Sequence, residues 1–419
     1  MPKHSNTTSE LVLFEDELGR AYGRLRDALI ALFEVIGADP DKPQDFSRRC
    51  GINKNLAWKA SRLIGAPSPA VGVPHIPGPS GFALLLDAFT HEGASPDLTE
   101  CARSARDAFD SFVEEHAGDR ATLDLMLDSM GAGWNSDRLE LSRRLAFQGN
   151  SGLWGIQTGM RFSTTILAPN TSDPSRLDIT VFGVYVGVRR LRPGVTWPMF
   201  VVKAEDDAGE SIPLLDDRAD ADGDFPDRDG TRLLRRFCSA NMPEILIRKA
   251  RSNYIYEFDQ GPVGNTGVFD CAMGTRFRGV APRYRTASDH VGRLSSHMLI
   301  PSERMVLDLL VHKDLPYIEN TTKCIYPLLG DPATWTPPWM REGAHAVPIE
   351  EPLRPINAQQ NAIDDPVFPR HGEVLESVLR ASGWRAEDFH GLRLDLKYPP
   401  MPSLVVIEWP LPEAPSGGR

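Results

Sequence analysis

The sequence of 419 residues predicts an α+β protein of more than one domain. An all-α domain is expected at residues 1–131, followed by a mixed, mostly β domain at residues 150–412. Apolar residues recur at helical spacing in the first part. After about residue 149, segments rich in β-branched and aromatic residues alternate with Gly and Pro. The 35 glycines and 35 prolines also predict more turns and loops than a compact helical protein needs.

The composition is that of an ordinary globular protein, with 41% hydrophobic and 25% charged residues. No apolar run approaches about 18 residues, and the N-terminus lacks an apolar segment of signal-peptide length, so neither a membrane span nor secretion is predicted. Scattered cysteines without a Cys-x-x-Cys spacing favour reduced thiols over a zinc site or a disulfide framework. We therefore expect a cytoplasmic protein without a metal or another cofactor.

Three helices are predicted first along the chain. Residues 14–36 place nine apolar side chains on one helical face, and Gly37 and Pro40 end the pattern. A short helix is expected at residues 43–50 and a third at residues 53–64. Gly65 and Pro67 end the third helix.

Residues 66–79 are rich in Pro and Gly and are predicted to be non-helical, as an extended connector or a degenerate wing. A helix at residues 81–91 is expected to be capped by Ser80. The Ser95-Pro96 pair predicts the start of a helix that continues to residue 116, because Ser suits the N-cap and Pro the first helical position. A further helix is predicted at residues 120–130.

The second part is predicted to be mostly strands. Strands are expected at residues 162–167, 177–191, 198–204, 253–258, 267–277 and 297–301. Residues 302–315 suit a strand as well as a helix. A short amphipathic helix is predicted at residues 373–381, and residues 392–398 and 404–409 are predicted to form a hairpin. The pattern leaves open whether residues 150–412 form one domain or two.

Charge is distributed unevenly. Residues 46–86 contain five Lys or Arg and no Asp or Glu, although the net charge of the chain is −11. The remainder therefore carries −16. Because an acidic body repels DNA, any contact with nucleic acid must be confined to this one basic face.

Within that window, residues 44–64 have the pattern of two helices joined by a tight turn. Gly51 supplies the residue that tolerates positive φ, and Asn53 is a suitable N-cap for the third helix. Apolar residues are expected to pack inside the motif at Phe46, Cys50, Ile52, Leu56, Ala57, Ala60, Leu63 and Ile64. The outer surface is left to Lys54, Asn55, Trp58, Lys59 and Arg62.

This segment resembles the helix-turn-helix of bacterial transcription regulators. The resemblance implies binding of double-stranded DNA, with Asn55 reading an adenine edge and Lys59 or Arg62 holding phosphate or guanine. Arg48 and Arg49 are placed to grip the DNA backbone. The predicted DNA-binding residues are Arg48, Arg49, Asn53, Lys54, Asn55, Trp58, Lys59 and Arg62.

Two residues depart from the usual pattern of the motif. A larger aliphatic residue is commoner at the position of Ala57, and Trp58 is unusual on the exposed face. The tryptophan either packs on a sugar or is covered by the Pro-rich segment. By analogy with such regulators, the second domain would sense a small molecule, mediate assembly or bind a protein. A palindromic site would imply a homodimer, with residues 14–36 as the pairing helix.

Two other classes remain open. In a structural or protein-interaction module, the helical hairpin would not touch DNA, Trp58 would be buried, and Lys54, Lys59 and Arg62 would form ion pairs. An enzyme, a hydrolase or a nuclease, would need converging polar groups in the second domain, near His312 or around Asp395 and Lys397.

Two loops resemble ligand-binding motifs only in part. The acidic stretch at residues 205–229 contains part of a calcium-loop pattern, but Arg218 stands at the first ligand position, where an oxygen is required. We expect it to be a solvated loop. The glycine-rich residues 261–267 lack the Gly-Lys-Ser/Thr ending of a phosphate loop and are predicted to join two strands.

Overall fold

Helices occupy the first part of the chain and strands most of the second, which confirms the predicted α+β class. The computed structural model describes residues 6–129, 136–203, 230–250, 253–287, 290–328, 346–347, 349–359 and 363–415. The acidic stretch at residues 205–229 lies outside these ranges. The chain divides into two compact units, Met1–Leu139 and Glu140–Arg419. The predicted domain ends at residues 131 and 150 lie on either side of this division.

Apart from α4, the described helices of the first unit follow the predicted order. They are α1 Asn6–Val35, α2 Pro43–Cys50, α3 Lys54–Gly65, α4 Pro69–Gly72, α5 Pro79–His91, α6 Pro96–His116 and α7 Arg120–Ser129. Two more follow, α8 Ser136–Trp154 and α9 His371–Ala381. The sequence pattern did not predict α8. No described helix is long and apolar enough to cross a membrane.

The core of the first unit is built around α1. Its residues Leu18, Leu25 and Leu29 are fully buried, and α1 packs along α6. Phe33 lies 4.5 Å from Phe46 of α2, measured between ring centroids, and 5.1 Å from Phe89 of α5. The apolar face of α1 is therefore buried within its own unit, and the use of residues 14–36 as a pairing helix stays a prediction.

Four helices of this unit, α2, α4, α5 and α6, begin at a proline. Ser95 caps α6 by accepting from the Leu98 amide, and Pro96 begins the helix, as predicted. The predicted Ser80 cap is wrong, because α5 begins at Pro79 with Gly78 at the N-cap position. Proline is favoured at the first helical position, since its φ is already helical and no amide is needed there.

The Pro-rich segment was also predicted wrongly, because it contains α4 and a 3-10 turn at Val73–His75. Both begin with a proline in their first turn, where the missing N–H breaks no hydrogen bond. Arginines of the helices that follow hold the segment in place. Arg106 donates to the Pro77 carbonyl and Arg120 to the Val73 carbonyl.

The second unit contains thirteen described strands. They are β1 Ile156–Pro169, β2 Arg176–Arg190, β3 Trp197–Lys203, β4 Gly230–Leu233, β5 Ile245–Ala250, β6 Asn253–Phe258, β7 Phe269–Pro282, β8 Val291–Met298, β9 Ser302–His312, β10 Thr322–Pro327, β11 Arg354–Asn357, β12 Phe389–Lys397 and β13 Ser403–Pro410.

These described strands form three sheets. A seven-stranded sheet has the order β11-β12-β9-β1-β2-β7-β4, and two three-stranded sheets have the orders β10-β13-β8 and β3-β6-β5. The β1–β9 pair is parallel, and the other described pairs are antiparallel. Residues 261–267 join β6 to β7, as predicted for a loop between strands.

Both faces of the seven-stranded sheet are covered. Phe162, Val306 and Leu310 belong to the core that includes Val374 and Val378 of α9. The alternate residues of β1, β9 and β12 face the β10-β13-β8 sheet, among them Leu167, Leu307, Leu309 and Leu394, and they share a core with Val405 and Ile407 of β13. Because β9 is buried on both faces, its sequence shows no simple alternation, which explains the ambiguity over residues 302–315.

Two strand predictions are wrong. β8 ends at Met298, so residues 299–301 lie between strands. The hairpin predicted from residues 392–398 and 404–409 does not form, because β12 pairs with β9 and β13 with β8 and β10. Leu394 and Ile407 nevertheless share one core, since their sheets pack face to face. An apolar face covered by another sheet has the same alternation as one in a hairpin.

A buried polar cluster lies beneath α9. Arg393 of β12 donates to both oxygens of Asp308, at 2.7 and 2.9 Å, and to the Ile363 carbonyl. His371 Nε2 lies 3.1 Å from Thr164 Oγ1 and 3.8 Å from Asp308 Oδ2. Asp308 and His371 are fully buried, and the Arg393 side chain is 12% exposed, so the cluster joins α9, β1, β9 and β12 almost entirely within the protein.

Replacing Arg393 tests this cluster. We expect Arg393→Met to reduce the free energy of opening of the sheet by about 3–5 kcal/mol, because it leaves a buried carboxylate without its partner. Hydrogen exchange of the β9 and β12 amides measures that opening separately from the first unit. The control is Arg380→Met, which removes an exposed pair with Glu376 and should cost less than about 1 kcal/mol. Equal effects of the two substitutions would contradict the assignment.

The cluster also predicts a dependence of stability on pH. Burial lowers the pKa of His371 below its usual value of 6.5. The unfolded chain therefore binds a proton that the folded chain does not, and the free energy of unfolding should fall as pH drops below about 6.5. Burial and the nearby Arg161 lower the pKa of His297 to about 3, which acts in the same direction.

Urea titrations between pH 7 and about pH 5 measure this effect. Each histidine contributes up to about 1.4 kcal/mol per pH unit. We expect His371→Gln to flatten the slope and His390→Gln, a substitution of an exposed histidine on β12, to leave it unchanged. An unaltered slope in His371→Gln would show that this residue does not set the pH dependence.

Candidate nucleic-acid interface

The turn between α2 and α3 has three residues, and Gly51 is the first. Its φ of 64° and ψ of 20° lie in the left-handed region, as predicted, and its N–H donates to the Ser47 carbonyl at the end of α2. The Ser47 hydroxyl donates to the Ile52 carbonyl at 2.7 Å. The turn is therefore closed by both backbone and side-chain hydrogen bonds, which fixes the exit of the chain into α3.

Asn53 is the N-cap of α3, as predicted. Its Oδ1 accepts from the Asn55 backbone N–H at 2.8 Å. The inner face of α3 is buried at Ala57, Ala60, Leu63 and Ile64. Ala57, the departure from the usual motif, is fully buried in the core of the unit.

The outer face of α3 is polar and basic. Lys54, Trp58 and Arg62 follow at intervals of four residues and form one stripe, with Asn55 and Lys59 beside it. Lys59 is partly exposed, and the other four residues of this face are exposed. None of the three cationic side chains forms an ion pair with any residue that the structure describes. The structure thus brings together the predicted residues of this helix.

The C-terminal end of α3 is tied to α1. Tyr22 Oη donates to the Leu63 carbonyl at 2.5 Å, and Arg26 Nε donates to the Ile64 carbonyl at 2.8 Å. Carbonyls in the last turn lack partners within the helix, and a cation there also favours the helix dipole. Burial raises the pKa of Tyr22 to about 12. Any side chain at Gly72 would overlap the Tyr22 hydroxyl, so glycine is needed at that position.

The two arginines of α2 are exposed but paired. Arg48 lies 2.5 Å from Asp45 one turn earlier, and Arg49 lies 2.6 Å from Glu92. The first pair is largely in solvent, whereas Glu92 is about three-quarters buried. Arg48 can therefore exchange its partner more easily than Arg49 can.

Trp58 lies beside the Pro-rich segment and is only partly covered. Its ring meets His75 edge-on at a centroid distance of 5.1 Å, and the Arg62 guanidinium lies 5.4 Å from its centroid. The side chain remains 42% exposed. It borders a cleft of about 480 Å³ between α3 and the Pro-rich segment. Trp58 thus contacts the segment and still offers a ring face to solvent.

The residues considered for catalysis do not converge. Asp395 forms two hydrogen bonds with Arg304, at 2.8 and 2.7 Å, whereas Lys397 reaches Glu140 at 3.1 Å. His312 packs edge-on against Phe389. Among the residues that the structure describes, no three His, Cys, Asp or Glu side chains are grouped to hold a metal ion. The residues of the partial calcium-loop pattern lie outside those described.

Sequence reasoning missed the cluster of Asp308, His371 and Arg393. The first and last of these are 85 residues apart, so no local motif joins them. The available signal was Asp308 itself, a single charge within the apolar run of β9, because a charge buried there requires a partner. Asp308 and His371 are enclosed by protein, and only the edge of the Arg393 side chain reaches the surface, which leaves little area for a substrate.

Comparison with known proteins gives no assignment. The chain matches no family model and no curated protein. It is similar to crystal structures of an M1 zinc metallopeptidase from Deinococcus radiodurans, at 7–8% identity and TM-scores of 0.23 to 0.24. These matches cover 60–61% of this chain and 42% of the peptidase chain. At such TM-scores the likeness defines neither a shared fold nor an activity.

The two asparagines at the start of α3 are expected to differ in role. Asn53→Ala should lower the free energy of unfolding of the first unit by about 1 kcal/mol, because it removes the cap. Asn55→Ala should not lower it, since this exposed position tolerates a better helix former. Hydrogen exchange of the α3 amides measures both. Equal destabilisation by the two variants would contradict the capping role.

Proposed function

We propose that the protein is a DNA-binding transcription regulator that contacts double-stranded DNA through α2 and α3. The observation that carries this proposal is the outer face of α3. Three cationic side chains without ion pairs among the described residues lie there on a helix fixed at both ends. The surrounding window of residues 46–86 contains no acidic residue.

The dimensions of α3 suit the major groove of B-DNA. A helix rises about 1.5 Å per residue, so Lys54 and Arg62 are separated by about 12 Å along the axis, close to the width of the groove. In this arrangement Lys54 and Arg62 reach phosphates, and Asn55 faces the base edges. Asn and Gln recognise adenine through two hydrogen bonds, which gives Asn55 the role of the base reader.

The remaining candidates take supporting roles in this proposal. Arg48 exchanges Asp45 for a phosphate, because an exposed ion pair contributes only about 0–1 kcal/mol. Arg49 stays with Glu92 and orients α2. Trp58 packs its open ring face on a sugar. Asn53 acts through the cap that it provides to α3.

The second unit would serve as the sensing or assembly part, and such a regulator would act in the cytoplasm. Binding to a palindromic site would require a homodimer. Because the apolar face of α1 is used in the core, pairing through residues 14–36 would use the exposed side of this helix. No cofactor is required for this function.

A protein-interaction module remains the second candidate. It is favoured by the pairs that Arg48 and Arg49 already form and by the contact of Trp58 with His75. In that case the basic face of α3 would meet an acidic protein surface. The two candidates differ in whether the chain binds duplex DNA at all.

Fluorescence polarisation with mixed duplex fragments at two salt concentrations tests the proposal. The variant Lys54→Ala/Lys59→Ala/Arg62→Ala should weaken binding by more than about tenfold at low salt. It should also reduce the slope of log affinity against log salt by about one for each phosphate that the variant no longer binds.

The control variant is Arg20→Ala/Arg24→Ala/Arg103→Ala, which removes the same charge from exposed positions on α1 and α6. It should bind almost as the wild type does. Equal weakening of both variants would show that only net charge matters, and the proposal would fail. Absence of binding by the wild type at low salt would favour the protein-interaction module.

A further inference from the structure

Two cysteines of the second unit lie side by side, although they are distant in the sequence. Cys238 directly follows a 3-10 turn at Arg235–Phe237, and Cys271 is the third residue of β7. Both are free thiols in this structure. Two thiols in contact can do what a single cysteine cannot, because oxidation of one can be completed by the other.

Backbone hydrogen bonds hold the turn against β7 on both sides of Cys271. The Leu234 N–H donates to the Ala272 carbonyl at 2.9 Å, and the Ser239 N–H donates to the Asp270 carbonyl at 2.9 Å. The Ser239 hydroxyl accepts from the Asp270 N–H at 2.8 Å. Paired backbones bring opposite Cα atoms to about 4.5–5.5 Å, and a disulfide spans about 4.4–6.8 Å. This pairing therefore gives the two cysteines the approach that a disulfide needs.

The Cys238 sulfur points at the backbone next to Cys271. It accepts from the Ala272 N–H at 3.3 Å and lies 3.5 Å from the Ala272 and Leu234 carbonyl oxygens. The Cys271 thiol hydrogen bonds to the same sulfur. That hydrogen bond lowers the pKa of the Cys238 thiol, although burial raises it. The same hydrogen bond, together with burial, raises the pKa of the Cys271 thiol.

The two cysteines differ in exposure as well. Cys271 is fully buried in an apolar core of the second unit, whereas Cys238 is partly exposed at the edge of that core. The thiolate is the nucleophile of cysteine chemistry, and reactive cysteines combine partial exposure with a lowered pKa. Cys238 therefore suits the first reaction with an oxidant, and Cys271 suits the second step, in which a neighbouring thiol resolves the product.

We propose that Cys238 and Cys271 form a reversible disulfide when the protein meets hydrogen peroxide. The Cys238 thiolate attacks one peroxide oxygen, so that an S–O bond forms, the O–O bond breaks and hydroxide leaves. The Cys271 sulfur then attacks the sulfenic sulfur of Cys238. The S–S bond forms, the S–O bond breaks, and the hydroxyl group leaves with the Cys271 proton as water.

In this reaction the two sulfurs are oxidised by two electrons, and the peroxide is reduced to two molecules of water. A thiol such as glutathione reverses the reaction by thiol–disulfide exchange and is itself oxidised to a disulfide. The pair lies within the second unit. The proposal therefore stands independently of DNA binding by the first unit.

Alkylation of the full chain by iodoacetamide, after denaturation at intervals following addition of hydrogen peroxide, tests the proposal. Cys238 and Cys271 should lose alkylation at equal rates, at least about tenfold faster than Cys101, which is exposed on α6. Peptide mapping should show the two cysteines in one linked peptide pair. Treatment with dithiothreitol should separate the pair and restore alkylation of both.

Variants distinguish the two roles. Cys238→Ser should leave Cys271 open to alkylation, because the first nucleophile is missing. Cys271→Ser should leave Cys238 as a sulfenic acid that dimedone traps at least about tenfold more than in the wild type. The matched control is Cys324→Ser, at a partly exposed cysteine of β10, which should leave the linkage unchanged. Circular dichroism confirms folding, and Cys238→Ser decides the matter if Cys271→Ser does not fold.

Three results would overturn the proposal. They are the absence of a peptide pair linking Cys238 to Cys271, linkage of either residue mainly to a different cysteine, and oxidation of Cys271 in Cys238→Ser at the rate of the wild type. Because these measurements contain no DNA, their failure is separate from a failure of the proposed function.

Discussion

The requirement that a buried polar group finds a partner determines how the elements of both units are joined. In the first unit, Tyr22 and Arg26 supply donors to the Leu63 and Ile64 carbonyls at the end of α3. In the second, Arg393 satisfies Asp308 at the centre of the seven-stranded sheet. Each of these bonds links elements that are distant in the sequence, and an unpaired group in either place would cost more than the bond itself contributes.

The same requirement distinguishes side chains that are available to bind another molecule from those that already have a partner within the protein. The acids and bases of the second unit that were considered for catalysis already have partners, as the Arg304–Asp395 pair shows. The cations of α3 form no ion pair with any described carboxylate, in a chain with more acids than bases. Keeping three such charges together is unfavourable for the isolated protein, because like charges repel each other. A polyanion would remove this repulsion, and this is the physical basis for the proposal that α3 binds DNA.

Local signals predicted much of the fold. Gly51, Asn53 and the Ser95-Pro96 pair marked helix boundaries correctly, since capping and positive φ depend on neighbouring residues. The prolines at residues 66–79 led to a wrong prediction of a non-helical segment. Proline disrupts a helix only at positions after the first turn, and here it lies in the first turn. Strand pairing could not be inferred for β12 and β13, since alternation reports which face is buried but not which strand is adjacent.

The residues of α3 and the buried cluster differ in how far the sequence reveals them. The residues of α3 lie within nine positions of one another, so their common face could be read from spacing alone. The cluster combines Asp308, His371 and Arg393, which only the packing of α9 against the seven-stranded sheet brings together. These three side chains satisfy one another in the interior, so a ligand would have to break existing bonds there.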